Sequence, residues 1–264
     1  MTAVEREDLE PSKPARLRTQ WRLIQVALIF LTRVSIIVQG HISATDIARA
    51  SRYYPIVGLL VGGCLGLIYL LTRQFFPPLL AATLTAVASA IITGAFHEDA
   101  LGDVADAFGG GMTPERKLEI MRDSRLGTYG SFALFSALLI RIQCLAILDS
   151  GVIVSALCAI HAVSRWPMVW LLYRAPRART EGLGAGTQNL TATEPMVSTV
   201  STLAIAFLCL PPLSALVVMG ACAAATLAVW HLASRHVGGI TGDVLGSTQQ
   251  IGELGALLML VAVV

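Results

Sequence analysis

Hydrophobic residues in this chain come in long blocks, and polar residues are confined to short stretches between them. A helix needs about 20 apolar residues to cross the hydrocarbon core of a bilayer. Six runs approach or meet that length: 54–73, 78–97, 129–148, 152–172, 197–210 and 212–234. A seventh, 248–264, is interrupted by Glu253, and an eighth, 23–39, carries Arg33 near its middle. Pro211-Pro212 ends the short fifth run, since proline cannot continue a helix. The strict alternation of a membrane β-barrel is absent. The pattern therefore predicts an all-α, polytopic membrane bundle of about seven transmembrane helices. An N-terminal helix over 23–39 is expected to lie at the interface or to re-enter.

Composition agrees with the pattern. Of 264 residues, 55% are hydrophobic and 14% charged, where a soluble domain carries about 25% charged residues. The mean hydropathy is +0.70. The lipid bilayer is thus the first expected partner, and a net charge of +2 gives no footing for nucleic acid. The opening "MTAVEREDLEPSKPARLRTQWR" is polar and mixed in charge, unlike a cleavable signal. Residues 1–20 are expected to form a disordered cytoplasmic leader and 21–264 a single domain. The five cysteines all lie in apolar runs without CxxC spacing, and read as small core residues. The sequence leaves a homo-oligomer open.

Orientation follows from the basic residues, which are retained on the cytoplasmic side. If 23–39 does not span, the leader, 40–53, 98–128, 174–196 and 235–247 share one side. They hold Arg116, Lys117, Arg122, Arg125, Arg174, Arg177, Arg179 and Arg235. The other side receives only "RQFFPP", "DSG" and "PP". The expected arrangement is the cytoplasmic (inner) membrane, with the N-terminus inside, the C-terminus outside and the polar loops facing the cytoplasm.

One of those loops concentrates the charge. Residues 97–130 read "HEDALGDVADAFGGGMTPERKLEIMRDSRLGTYG", with seven of the chain's 17 acids between Glu98 and Asp123. If the helix of 78–97 continues past His97, then Asp99, Asp103 and Asp106 fall at i, i+4 and i+7 on one face. Like charges so placed repel unless a cation sits among them. Mg²⁺ takes hard oxygen ligands and typically shares carboxylates with substrate phosphates. Glu98, about 100° round the helix, is a candidate outer ligand or base. A solvated acidic face is the plain alternative. Gly109, Gly110 and Gly111 permit close backbone approach. Thr113 is a good N-cap and Pro114 a good first helical residue.

Further along, "DSRLGTYG" supplies Asp123, Ser124, Arg125 and Gly127; Arg125 is a candidate phosphate clamp. A second polar island, "HVGGITGDVLGSTQQIGE", offers Gly242 and Asp243 to a pocket wall, or Thr241 and Asp243 as helix caps. Ionisable groups inside a span face a partner or a water cavity. Arg33, Arg141, Arg165 and Glu253 are of this kind, and Arg165 is also a candidate for a substrate anion. The five histidines show no zinc spacing, and His97 is a candidate supporting or acid–base group. No phosphate-binding P-loop, G-x-S-x-G or dinucleotide fingerprint occurs.

The segments "FHEDALGDVADAFGGG", "RKLEIMRDSRLGTYG" and "GGITGDVLGSTQQIGEL" resemble the cobalamin synthase, or adenosylcobinamide-GDP ribazoletransferase, family. So do "FLTR" (Phe30 to Arg33) and "YYPIVGLLVGG" (Tyr53 to Gly63), in the same order from about residue 21 onward. The resemblance implies an enzyme of the cytoplasmic membrane that uses Mg²⁺. Its substrates would be adenosylcobinamide-GDP and α-ribazole or α-ribazole 5′-phosphate, and GMP would be released. Asp99, Asp103 and Asp106 would then bind the metal with Glu98 nearby. Asp123 would complete the site or act as base, and Asp243 with its glycines would close the pocket. One departure stands out: the family places glycine after the aspartate of its H-x-D motif, and this chain has Ala100. The acid arrangement is also similar to CDP-alcohol phosphotransferases, but Val104-Ala105-Asp106 lacks their arginine. A cation transporter would use the acids as a selectivity site.

Overall fold

A computed structural model describes residues 13–179 and 190–264. Residues 1–12 of the expected leader and 180–189 of the 174–196 loop lie outside the described residues. Eleven α-helices account for most of the rest, with a 3-10 turn at Ser51–Tyr53. Among the described residues the only strand-like pairing is one parallel bridge between Arg177 and Ile240.

Helix α1 is Lys13–Leu31, so it begins within the stretch expected to be a disordered leader. Pro14 does not oppose this, because the first turn of a helix has no use for its amide hydrogens. After Leu31 the chain is extended, and the interfacial helix expected over 23–39 stops there. α2 (Ala44–Ala50) starts at a capping box of Ser43 and Asp46.

The apolar runs become α3 (Tyr54–Arg73), α4 (Pro78–Thr93), α7 (Thr128–Ile147), α8 (Ile153–Arg174), α9 (Thr193–Cys209), α10 (Pro212–Val237) and α11 (Gly242–Val263). Five of these, α3, α7, α8, α10 and α11, are long and apolar enough to cross a membrane. The expected seven falls to five for two physical reasons. Pro211 leaves α9 with 17 residues. And α4 stops at Gly94, in the left-handed region at φ 70°, followed by Ala95 at φ 55°. The chain there bends by 92° into α5 (Phe96–Gly110). Counted as one broken span, α4 and α5 make a sixth. The acidic helix is therefore not a straight extension of α4.

The bundle is held by backbone contact and by apolar burial. α3 places Gly58, Gly62 and Gly66 against α8. A Cβ at Gly58 would sit 2.2 Å from the His161 carbonyl oxygen, and one at Gly62 2.2 Å from that of Leu157. Small residues every fourth position let two helices touch main chain to main chain. Pro167 lies inside α8, so the Val163 carbonyl lacks its usual amide donor. The Cys222 thiol, 3.5 Å away, takes that place. Outward-facing Leu67, Phe132, Phe135, Leu208 and Leu213 are well exposed, as expected of surfaces that meet lipid.

Candidate active site

The polar loops meet at one end of the bundle. The Ala178 amide donates to the Ile240 carbonyl (3.0 Å), and the Ile240 amide to that of Pro176 (2.9 Å). These two bonds join the stretch after α8 to the turn before α11. Arg179 then reaches the Leu118 carbonyl of α6 (Pro114–Ile120) and stands 4.0 Å from Asp243. As the sequence suggests, Thr113 caps α6 through the Arg116 amide and Thr241 caps α11 through the Val244 amide.

α5 runs between α7 and α11 beneath these loops. The Ser247 hydroxyl donates to the Ala100 carbonyl at 2.9 Å. A Cβ on Gly246 would fall 2.4 Å from the Ala100 methyl. Ala100 thus packs on α11, in space that Gly246 leaves free.

The structure divides the predicted site residues into four groups. Asp99 is exposed at the mouth of a cleft, and Asp103 is half-buried one turn later. Asp99, Asp243 and Asp106 are its electrostatic neighbours. Asp243, with Gly242 at the start of α11, faces the same group, with Arg179 beside it. Asp99 and Asp243 thus lie within electrostatic reach of Asp103, from two helices.

Glu98 and Asp106 are engaged elsewhere. The Glu98 carboxylate pairs with Arg141 at 3.1 Å. Arg141 also meets Glu253 at 3.0 Å and donates to Gln250 at 2.6 Å. Asp106 accepts the amide hydrogens of Gly127 (2.7 Å) and Gly130 (2.9 Å) at the start of α7. Asp106 is also an electrostatic neighbour of Asp103, and each of its oxygens accepts one backbone N–H group.

Asp123, Ser124 and Arg125 form a third group, on the exposed surface after α6. Arg125 Nε donates to both Asp123 oxygens at 3.0 Å. Those hydrogen bonds hold the Asp123 carboxyl down at about 2, from an ordinary 3.8. This pair is not joined to the Asp99 group by any contact among the described residues.

Arg165 is the fourth case. It is 1% exposed inside the bundle, where its Nη1 donates to the His161 carbonyl at 2.8 Å. His97, also 1% exposed, faces this interior, with Arg165, Glu253 and His161 among its electrostatic neighbours. Neither is open to a substrate. Two residues absent from the predicted site stand beside it: Arg179, and Arg33, which lines the same cleft as Asp99. Arg33 could be noticed in sequence as a cation inside an apolar run, though only the bend of α4 into α5 brings it to Asp99.

Among the described residues, no three His, Cys, Asp or Glu side chains stand close enough to hold a metal ion unaided. The carboxylates that do converge are hard oxygen donors of one sign. Mg²⁺ is commonly bound by one or two carboxylates with waters and substrate phosphates, so a metal site here would need ligands from outside the chain.

The fold and site define a multi-pass helical membrane protein with carboxylates gathered at the loop end of its bundle. Residues 23–261 match the family model described as cobalamin-5-phosphate synthase, and the chain belongs to that family. Relatives named adenosylcobinamide-GDP ribazoletransferase cover nearly its whole length. One from Shewanella amazonensis is 38% identical over 251 residues, 92% of this chain and 96% of its own. One from Bradyrhizobium diazoefficiens is 39% identical over 241 residues, covering 90% and 93%. One from Vibrio cholerae is 37% identical over 265 residues, covering 94% and 96%. No solved structure matches the chain.

Proposed function

We propose that this chain joins adenosylcobinamide-GDP to α-ribazole or its 5′-phosphate and releases GMP, the late nucleotide-loop assembly step of vitamin B12 synthesis. Family membership supports the reaction class. The convergence of Asp99, Asp103 and Asp243 is the observation that carries the site assignment.

The chemistry asks for little beyond charge control and alignment. A ribazole hydroxyl attacks the phosphorus on the cobinamide side of the diphosphate. A new P–O bond to the ribose forms, the bridging P–O bond breaks, and GMP leaves with the bond's electrons. The hydroxyl proton goes to a carboxylate of the Asp99–Asp103–Asp243 group. Because the donor is a diphosphate, binding three carboxylates beside it requires a cation. Asp99 and Asp103 would hold Mg²⁺ with Asp243 in support; the ion would neutralise phosphate charge. Arg179, next to Asp243, would keep that carboxylate turned inward. Arg125 would take part only if its pair with Asp123 opened and freed the guanidinium for an incoming anion.

We place the site on the cytoplasmic face, with the N-terminus inside and the protein in the cytoplasmic membrane. The supporting observation is that the basic loops and the cross-loop bonds share one end of the bundle. The test is GMP release by purified protein supplied with adenosylcobinamide-GDP, α-ribazole 5′-phosphate and Mg²⁺. A CDP-alcohol with a lipid acceptor serves as control. Metal-dependent GMP release supports the reading; turnover of the CDP-alcohol alone would replace it.

A further inference from the structure

The bend between α4 and α5 opens a cleft of about 490 Å³, lined among others by Phe30, Thr32, Arg33, Gly94, Phe96 and Asp99. Arg33 is fixed there from two directions. Its amide donates to the Ile92 carbonyl at 2.7 Å. Its side chain lies across Gly94, where a Cβ would fall 2.1 Å from Nε and 3.0 Å from Cδ. Gly94 is thus required both for its positive φ and for the absence of a side chain.

The tip of Arg33 is not similarly engaged. Among the described residues, no carboxylate or carbonyl pairs with its guanidinium, although Arg22, Arg52, Arg125, Arg141 and Arg179 all have such partners. Arg33 is exposed in the cleft with its stem on Gly94, and an unpaired guanidinium there matches the fork geometry of a phosphate. Asp99 lines the same cleft, so an anion bound to Arg33 would lie beside the proposed metal carboxylates. The N-terminal end of the 15-residue α5 opens there too, and its dipole favours negative charge.

We propose that Arg33, seated on Gly94, binds a non-bridging phosphate oxygen of the nucleoside-diphosphate donor in the cleft it shares with Asp99. The inference rests on the transferase reading above. It makes Arg33 a substrate-binding residue specific to the donor and indifferent to the acceptor.

The test uses full-length protein with Mg²⁺, both in phospholipid-free detergent and in vesicles containing anionic phospholipid, as wild type, Arg33→Gln and Arg33→Lys. Glutamine keeps much of the stem on Gly94 and removes the charge. Equilibrium binding of adenosylcobinamide-GDP is compared with that of adenosylcobinamide, which lacks the diphosphate. Melting is followed in parallel, and KM is measured for α-ribazole and for its 5′-phosphate. Arg33→Gln should bind the GDP compound about 10-fold or more weakly, with adenosylcobinamide binding and both acceptor KM values unchanged. Arg33→Lys should restore part of the loss; if the glutamine variant fails to fold, a folded lysine variant must still show a donor-specific defect.

Unchanged donor affinity in a normally melting variant overturns the proposal. A defect confined to the 5′-phosphate acceptor would assign the phosphate to the acceptor and overturn it. So would a defect seen only in vesicles containing anionic phospholipid, which would assign Arg33 to a lipid headgroup. If wild type itself neither binds nor converts the donor, the transferase reading has failed; if wild type turns over and only the Arg33 effect is missing, that reading stands without Arg33.

Discussion

Asp106 accepts the backbone N–H groups of both Gly127 and Gly130, and by these two bonds the acidic helix α5 holds the start of α7. The fit is close: a Cβ at Gly130 would lie 2.3 Å from the Asp106 Oδ2 atom. Hydrogen bonds to a charged group contribute about 1.5–3 kcal/mol each. Asp106→Ala leaves two amides without an acceptor and should lower stability by about 2–4 kcal/mol. Asp106→Asn keeps one carbonyl oxygen and should fall between the alanine variant and wild type. Thermal unfolding in detergent checks the order; equal stability of all three would contradict this role.

Asp103→Asn should behave in the opposite way. It relieves repulsion from Asp99 and Asp243, so the variant should melt at or above the wild-type temperature. Turnover should fall 100-fold or more, about 2.7 kcal/mol of transition-state stabilisation. GMP release and melting, measured on one preparation, separate this outcome from a folding defect. A variant with normal turnover removes Asp103 from the site.

Arg141 is the pivot of a buried charge group that includes Glu98 and Glu253. Glu253 is further held by Gln249 at 2.7 Å. Removing one partner of a buried pair costs about 3–5 kcal/mol because the other charge stays behind. Arg141→Met should therefore be severely destabilising, and adding Glu253→Gln should recover part of the loss. A double-mutant cycle on unfolding would show that coupling; strictly additive losses would mean the two residues act independently.

Gly62 tests the contact between α3 and α8. Gly62→Ala drives a methyl into the Leu157 carbonyl, so the helices must separate. Overpacking of this kind costs about 1–3 kcal/mol. Ala100→Gly is the contrasting case, since it removes only a methyl packed on Gly246. It should leave turnover near wild type and cost at most about 1 kcal/mol through helix propensity. Parallel melting and turnover curves for the two variants check both expectations.

The apolar runs were readable as helices because hydropathy alone specifies a segment buried in lipid. Pro55, Pro78 and Pro212 mark the first turns of α3, α4 and α10, and Thr113 and Thr241 mark the caps of α6 and α11. What stayed hidden depended on partners distant in sequence. The break at Gly94 was invisible inside an apolar run, and the Arg33 side chain that packs on it comes from some sixty positions earlier. α11 begins at Gly242 and not at 248, where the Ser247 hydroxyl and the Gln249 amide nitrogen find partners in Ala100 and Ser164 across the bundle. The spacing of Asp99, Asp103 and Asp106 did give a common face for the first two. It could not show that α7 would place two amides against Asp106, nor that Asp243 of α11 would lie near Asp103.

The most direct test of the central claim is metal binding at Asp99, Asp103 and Asp243, read without turnover. Mn²⁺ would be titrated into purified protein in the presence of adenosylcobinamide-GDP and followed by electron paramagnetic resonance. Wild type and Asp123→Asn should bind one ion per chain with similar affinity, and Asp103→Asn should bind it at least 10-fold more weakly. Equal binding by Asp103→Asn, or a loss seen only in Asp123→Asn, would contradict the account and move the metal to the loop after α6.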